Sequence, residues 1–318
     1  MNKKTLLKAF RDIAKETGFK QDVHEDVWMP KLKKGEYRSI VAQGKFNNRD
    51  ATIKVSPCEN YHAITNNFKM YSRLLSARAI PLPLAIKPPH IFLIGNIKGL
   101  SVMIQELPKN EKRLLSQYPS TIAEKNLVAS VFLETRQALD YSMPIVKQDA
   151  SEYFAQRLSV YAQQWKPEYI DAKTFISTLA FILKNASDIK LVQSFSHFTN
   201  NDIVKSGGQY LIIDATIVLR PEMYEPAFWL WGMTMHSYNT PPKEWLKEIK
   251  IWTNVFMEKS FYYITNPAAK LSVNLAERML GILLVDLPLR RSPFEHFSDE
   301  IIAREAKLAR LIIQRLCA

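Results

Sequence analysis

Apolar positions in two stretches of the chain follow strand-like patterns, and a short turn interrupts each stretch. "RSIVAQGKF" and "ATIKVS" flank "NNRD", whose Asn and Asp residues tolerate the backbone of a tight turn. "HIFLIGNIKGLSVMIQEL" contains two further apolar runs around Lys98 and Gly99. Because short apolar runs on both sides of turn residues are typical of paired strands, both stretches predict β-hairpins.

Helical spacing of apolar residues replaces this pattern before and between the two hairpins. Leu6, Phe10 and Ile13 recur on one helical face, which predicts an amphipathic helix rather than a signal peptide. A similar spacing over residues 64–75 predicts a helix between the hairpins, ending before the prolines of "IPLPLAIKPP". The part of the chain up to about residue 107 is therefore predicted to be a sheet with a leading helix and one further helix.

The remainder of the chain is predicted to be mainly helical, with a small hairpin embedded in it. Helical spacing runs from about 120 to 186 and returns after Pro221, where Ser298 is a plausible N-cap for the last helix. Between these stretches "DIV" and "YLIIDA" read as short strands joined by "KSGGQ". We therefore expect an α+β protein of two lobes, residues 1–107 and residues 108–318, with a cleft between them.

The net charge of the chain bears on which partners it binds, and not on its fold. Its 43 Lys and Arg residues against 31 Asp and Glu residues give a net charge of +12. This surplus favours anionic partners, although a solvated basic surface explains it as well. Two cysteines, Cys58 and Cys317, lack metal-ligand spacing, so we expect a reducing, cytoplasmic compartment, while a single disulfide stays open. No apolar stretch reaches the roughly 20 residues of a membrane span.

Candidate chemistry is concentrated in "SFSHFTNNDIVKSGGQYLIIDAT", which begins at Ser194. In this stretch His197, Asp202 and Asp214 lie next to two apolar runs. Carboxylate oxygens are ligands that Mg²⁺ accepts, and an imidazole can take a proton near neutral pH. No serine hydrolase elbow, zinc spacing or dinucleotide fingerprint occurs elsewhere in the chain.

The order of these segments resembles the protein-kinase-like superfamily, in its aminoglycoside phosphotransferase and choline kinase branch. The resemblance covers roughly residues 38 to 220 and has four landmarks. "ATIKVS" resembles the third strand of the small lobe with its lysine, and "VMIQELP" resembles the strand that enters the hinge. "FSHFTNNDIV" resembles the catalytic loop, and "LIIDAT" resembles the end of the metal-binding strand.

The resemblance implies a two-lobed kinase-like fold that binds ATP and magnesium. Lys54 would hold nucleotide phosphates, and the hinge segment of Gln105, Glu106 and Leu107 would meet the adenine. The residues implied as metal ligands are Asp202 and Asp214, and the residue at the catalytic position is His197.

The sequence departs from the family pattern at three positions that serve nucleotide binding and phosphoryl transfer. A histidine, His197, occupies the position of the catalytic aspartate, and it offers no fixed negative charge to a substrate hydroxyl. The region expected to hold the glutamate partner of Lys54 contains Asn66, Asn67 and Lys69 instead. The hairpin expected to cover the nucleotide, "VAQGKFNNRD", has the single glycine Gly44.

These observations leave three hypotheses for function. The first is a kinase-like phosphotransferase that uses ATP and magnesium to phosphorylate a small molecule. The second is a pseudokinase, a catalytically inactive member of the same fold that acts as a binding or regulatory module for a protein partner. The third and weakest takes the net charge as the signature of a nucleic-acid partner, whose binding would fall steeply with salt.

Overall fold

The computed structural model describes most of the chain as two compact units. The described residues are 1–22, 27–29, 36–37, 39–57, 72, 86–107, 112–113, 121–142, 148–195, 203–206, 209–213, 217–236, 242–260, 264–291, 295 and 297–317. The first unit consists of residues 1–116 with 200–217, and the second of residues 117–199 with 218–318. The predicted lobe boundary at 107/108 stays a prediction.

A five-stranded sheet with a helix on one face forms the main part of the first unit. Its elements are α1 (Lys3–Thr17), β1 (Lys20–Gln21), β2 (Ile40–Phe46), β3 (Arg49–Pro57), β5 (Ile91–Ile97) and β6 (Leu100–Glu106). The short strand β4 (Ile86–Lys87) precedes β5 in the chain but belongs to a second sheet. The sheet has the order β1-β2-β3-β6-β5, and every neighbouring pair is antiparallel.

Two tight turns give the sheet its hairpins, as the sequence predicts. Asn47 and Asn48 have φ angles of 48° and 62° between β2 and β3, and Lys98 and Gly99 have 52° and 75° between β5 and β6. Two consecutive positive φ angles match the right-handed twist of the flanking strands, and Asn and Gly adopt them at low cost. Both predicted hairpins are confirmed, whereas the helix predicted over 64–75 lies outside the described residues.

The leading helix α1 covers one face of this sheet. Asn2 caps its first turn by accepting a hydrogen bond from the Thr5 amide at 2.9 Å, and Gly18 ends it with a φ of 75°. Its buried stripe includes the predicted Leu6, Phe10 and Ile13 and joins one core with alternate residues of β2, β3 and β6. The predicted amphipathic helix is confirmed.

A smaller sheet in the first unit contains the hairpin that the sequence places after the candidate catalytic loop. It has the order β4-β10-β9-β7, with β7 (Lys112–Arg113), β9 (Ile203–Ser206) and β10 (Gln209–Ile212). β9 and β10 are antiparallel, and β4 adds to β10 in parallel. The predicted pairing of "DIV" with "YLIIDA" is therefore confirmed.

The second unit is helical apart from one pair of strands. Its elements are α2 (Ile122–Ser142), α3 (Ser151–Gln164), α4 (Ala172–Asn185), β8 (Leu191–Phe195), β11 (Ile217–Pro221), α5 (Tyr224–His236), α6 (Pro242–Ser260), α7 (Pro267–Gly281) with a π-helical turn Ile282–Asp286, and α8 (Asp299–Leu316). Ile217, the first residue of β11, is grouped with the first unit. β8 pairs with β11, and Ser298 caps α8 as predicted, accepting a hydrogen bond from the Ile301 amide.

The α+β class that the sequence predicts is confirmed by this division into a sheet unit and a helical unit. Among the helices that the structure describes, none has the length and apolarity needed to cross a bilayer.

Candidate functional site

The face of the five-stranded sheet opposite α1 carries three of the residues that the sequence singled out, Lys54, Gln105 and Leu107. Side chains alternate along a strand, so burial of Ala51, Ile53 and Val55 against α1 directs Thr52 and Lys54 to the other face. The pairing of strands sets Val41 and Met103 beside Lys54, in one row across three strands. We call this surface, formed by residues 41, 43, 45, 50, 52, 54, 103, 105 and 107, the open face.

Lys54 lies near the middle of this open face. It is half-buried, and its strand is the third of the sheet in chain order, as the resemblance implies. Its row follows a row of Gln43, Thr52 and Gln105, which pair across the same three strands. The lysine therefore emerges from the centre of a regular sheet rather than from an edge.

A cleft of about 680 Å³ begins at the other end of the open face. Its lining includes Gln43, Asp50 and Leu107, together with β1. Lys45 also lines the cleft and forms an ion pair with Asp50 at 2.6 Å. At about 3.3 Å per residue, the row of Asp50 and the row of Lys54 are roughly 13 Å apart along β3. The cleft and the lysine therefore lie on the same side of the sheet, while Lys54 itself does not line the cleft.

Gln105 provides an unsatisfied acceptor on this surface. Its Oε1 atom is buried, and within the described part of the chain it has no hydrogen-bond partner. Leaving a buried acceptor unsatisfied costs about 1–3 kcal/mol. Gln105 is directly opposite Thr52, between the row of Lys54 and the row of Leu107.

The other two predicted hinge residues already use their amides inside the sheet. The Glu106 amide donates to the His90 carbonyl at 2.7 Å, and its carboxylate accepts from the His90 amide at 3.2 Å. The Leu107 amide donates to the Asp50 carbonyl at 3.0 Å. The structure therefore brings Lys54, Gln105 and Leu107 onto one face, whereas the carboxylate of Glu106 is bound to the neighbouring strand segment.

Gly44 has a packing role that the sequence did not reveal. A Cβ atom at this position would lie 2.1 Å from the carbonyl oxygen of Lys20 in β1. Only glycine allows the two strands to approach this closely at that point. Its presence is explained by the pairing of β1 with β2, without any phosphate-binding loop.

The three residues predicted for the catalytic loop and metal, His197, Asp202 and Asp214, lie outside the described residues. The described strands next to two of them are nevertheless informative, because Ile203 and Ile212 are paired across the β9–β10 hairpin. Asp202 precedes Ile203 in the sequence, and Asp214 follows Ile212 by two residues. Among the residues that the structure does describe, no group of three or more His, Cys, Asp or Glu side chains could hold a metal ion.

Comparisons with known proteins connect this architecture to a known fold. No protein-family model and no curated protein matches the chain. The aminoglycoside phosphotransferase APH(4)-Ia, in a ternary complex with ADP and hygromycin B, aligns with a TM-score of 0.57 and 15% identity over 96% of this chain and 97% of its own. The spectinomycin phosphotransferase APH(9)-Ia, in complex with ADP and spectinomycin, aligns with a TM-score of 0.57 and 14% identity over 97% and 98%. The chain has the kinase-like fold of the aminoglycoside phosphotransferases.

The kinase-like fold confirms the two-lobed class that the resemblance implies. The likeness extends over nearly the whole chain, well beyond the stretch that carries the sequence landmarks. A solved structure described as a fructosamine-3-kinase, from Haemophilus somnus 129PT, also aligns, with a TM-score of 0.52 and 11% identity over 96% of this chain and 95% of its own. The aligned structures thus carry different names on one fold, so the fold leaves the acceptor open.

Two residues of the open face, Gln43 and Thr52, were missed from the sequence. They lie in the same row as Gln105, next to the row of Lys54, and Gln43 also lines the cleft. The pairing of the two strands around "NNRD" already assigns both residues to the face of Lys54, so they could have been predicted from the sequence once the hairpin was recognised.

Proposed function

We propose that the protein is a phosphotransferase that binds ATP on the open face of the sheet and transfers its terminal phosphoryl group to a small molecule. The observation that carries this proposal is that the cleft at Leu107, the unsatisfied acceptor of Gln105 and the side chain of Lys54 lie on the same side of the sheet, in successive rows. An elongated ligand with a polar ring at one end and phosphates at the other fits this order of groups. The ADP-bound phosphotransferases of the same fold support ATP as the donor.

Adenine recognition would depend on Gln105 in this proposal. The 6-amino group of adenine is a donor, and the Oε1 atom of Gln105 is an acceptor without a partner in the described structure. Guanine carries a carbonyl at the equivalent position, so the Gln105 amide would have to turn over and present its Nε2 donor instead. The site is therefore expected to favour ATP over GTP, and Gln105→Met is expected to remove most of this preference.

Lys54 would neutralise the charge of the ATP phosphates, while Asp202 and Asp214 would bind magnesium and His197 would take part in phosphoryl transfer. Asp202 and Asp214 are proposed as magnesium ligands, since carboxylate oxygens suit this ion and both adjoin the paired end of the β9–β10 hairpin in sequence. Magnesium, when bound, would neutralise charge on the phosphates. His197 is proposed to accept the proton of the acceptor hydroxyl as the acceptor oxygen bonds to the terminal phosphorus and ADP leaves.

Calorimetric titration of ATP, with and without magnesium, tests the binding part of the proposal. Lys54→Met is expected to weaken ATP binding by about tenfold or more, because a charge-assisted contact to phosphate is lost. Lys98→Met is the matched control: it removes one lysine charge at the β5–β6 turn of the same unit, where Lys98 pairs with Glu16. Equal affinities for ATP in the Lys54 and Lys98 variants would contradict the proposal.

Transfer itself is tested by the release of ADP in the presence of hydroxylated acceptors, including aminoglycosides. His197→Ala is expected to lower the rate by about 100-fold or more while ATP binding is kept. Asp214→Asn is expected to remove the magnesium dependence of ATP binding. Tight ATP binding with no transfer to any acceptor would instead support the inactive, pseudokinase alternative.

A further inference from the structure

A second cavity lies wholly within the helical unit and has a different chemistry. It measures about 390 Å³ and opens between α3, β11 and the end of α7. Its lining includes the side chains of Arg157, Arg220, Arg278 and Arg291, with the rings of Tyr153 and Tyr161. Four guanidinium groups in one cavity of this size repel each other unless anions are present.

The carboxylates around this cavity neutralise only two of its four arginines. Glu277 pairs with Arg157 at 2.5 Å, and Asp286 pairs with Arg278 at 2.7 Å. Arg220 and Arg291 have no ion pair with any residue that the structure describes. The cavity therefore carries an uncompensated charge of about two positive units, which a dianion would match.

The floor of the cavity is built from buried groups. Glu277 is 1% exposed, accepts from Arg157 Nε, and accepts a short hydrogen bond from the Tyr161 hydroxyl. Arg157 also donates to that hydroxyl at 2.6 Å. A Cβ atom on Gly281 would lie 2.7 Å from the same hydroxyl, so glycine is needed there for Tyr161 to keep its place. These contacts hold Arg157 in a fixed position.

Aromatic rings orient the other two inner arginines. The guanidinium of Arg220 lies 5.1 Å from the ring centre of Tyr224 and 6.0 Å from that of Tyr153, and Arg278 lies 4.0 Å from that of Trp231. The Nε atoms of Arg220 and Arg278 are both buried and without an acceptor among the described residues. The cluster is therefore rich in oriented donors and poor in acceptors.

We propose that this arginine cavity is a binding site for the phosphate group of a small phosphate monoester. Guanidinium groups present paired N–H donors that match phosphate oxygens, and a phosphate monoester is close to a dianion at neutral pH. The neighbouring tyrosine rings provide apolar surface for the organic part of the molecule. The site lies in the helical unit, and none of its lining residues belongs to the open face.

Calorimetry with inorganic phosphate and with phenyl phosphate as probes tests this site. We expect saturable binding with a dissociation constant below about 1 mM, weaker at high salt and tighter for phenyl phosphate. Arg220→Gln should weaken both probes by about tenfold, and the exposed Arg291→Gln by about threefold. If Arg220→Gln fails to fold, Arg291→Gln and Arg291→Glu keep the proposal testable, because Arg291 is exposed.

Two controls separate this site from general basic charge and from the proposed ATP site. Arg315→Gln removes an exposed arginine on α8 and should leave phosphate affinity unchanged. Lys54→Met should also leave it unchanged while weakening ATP. No saturation below about 10 mM phosphate, or an equal loss in the Arg315 and Arg291 variants, would overturn the proposal. A loss with Lys54→Met would assign the phosphate to the open face and overturn it as well.

Discussion

The buried ion pair between Arg157 and Glu277 allows a quantitative prediction for Glu277→Gln. Glutamine has nearly the same size and keeps one oxygen that can accept from Tyr161 or Arg157, so the substitution removes the charge and turns the other carboxylate oxygen into an amide donor. Glu277 is 1% exposed, whereas Arg157 is 39% exposed. The substitution therefore leaves a partly hydrated guanidinium without its counter-ion.

The expected loss follows from this difference in exposure. Breaking a fully buried ion pair typically costs about 3–5 kcal/mol. Solvent still reaches part of Arg157, and the glutamine oxygen still accepts a hydrogen bond, so we expect a loss of about 2–3 kcal/mol. For a unit of about 150–250 residues this lowers Tm by roughly 4–12 °C. Arg157→Met should cost more, because it leaves the more deeply buried Glu277 without its cation.

Thermal unfolding of both single variants and of the double variant Arg157→Met/Glu277→Gln measures the coupling. The double variant has no unpaired buried charge, so its loss should be smaller than the sum of the single losses by about 1–2 kcal/mol. Asp140→Asn is the matched control, because it removes the partner of Arg136 at an exposed carboxylate and should cost less than about 1 kcal/mol. Additive losses, or a loss below about 0.5 kcal/mol for Glu277→Gln, would refute the argument.

Three further predictions test other parts of the structure. Gly44→Ala should lower Tm and increase amide exchange in β1, because the added methyl group meets the Lys20 carbonyl. The Asp171 carboxylate accepts a hydrogen bond from the Thr174 amide, which lowers the pKa of Asp171. Its contribution to stability is therefore present above the unfolded pKa near 3.9 and is lost as the pH falls through the folded pKa. The difference in Tm between wild type and Asp171→Ala should shrink below pH 4. Burial raises the pKa of Cys317, so in a Cys58→Ser background its reaction with a disulfide reagent at pH 7.5 should be several-fold slower than that of a free thiol.

The sheet and its turns could be predicted because local chemistry determines them. Asn47, Asn48 and Gly99 are residue types that accept positive φ, and apolar and polar residues alternate along "ATIKVS" in β3. Once β3 is recognised as a strand with Ile53 buried, the side on which Lys54 lies is determined by the period of two. This is why the open face follows from the sequence.

Other features depend on contacts that no local pattern reveals. The capture of the Glu106 carboxylate by the His90 amide depends on how β5 and β6 pair, across 16 residues. The requirement for glycine at position 44 appears only when β1 is placed beside β2. In both cases sequence reasoning assigned a ligand role, or looked for one, where strand pairing gives a structural role.

The arginine cavity could not be predicted from the sequence, because its residues come from segments that are far apart in the chain. Its four arginines come from α3, β11, the end of α7 and the turn that follows it, and in each segment the local pattern shows only an arginine next to helical or strand periodicity. Arg157 and Glu277 are 120 residues apart, and only the packing of α3 against α7 brings them together. A net charge of +12 suggests anionic partners without saying where they bind. Two arginines of this cavity lack counter-ions among the described residues, so part of the positive charge can be located in the structure, and its effect on anion binding can be measured with a single substitution.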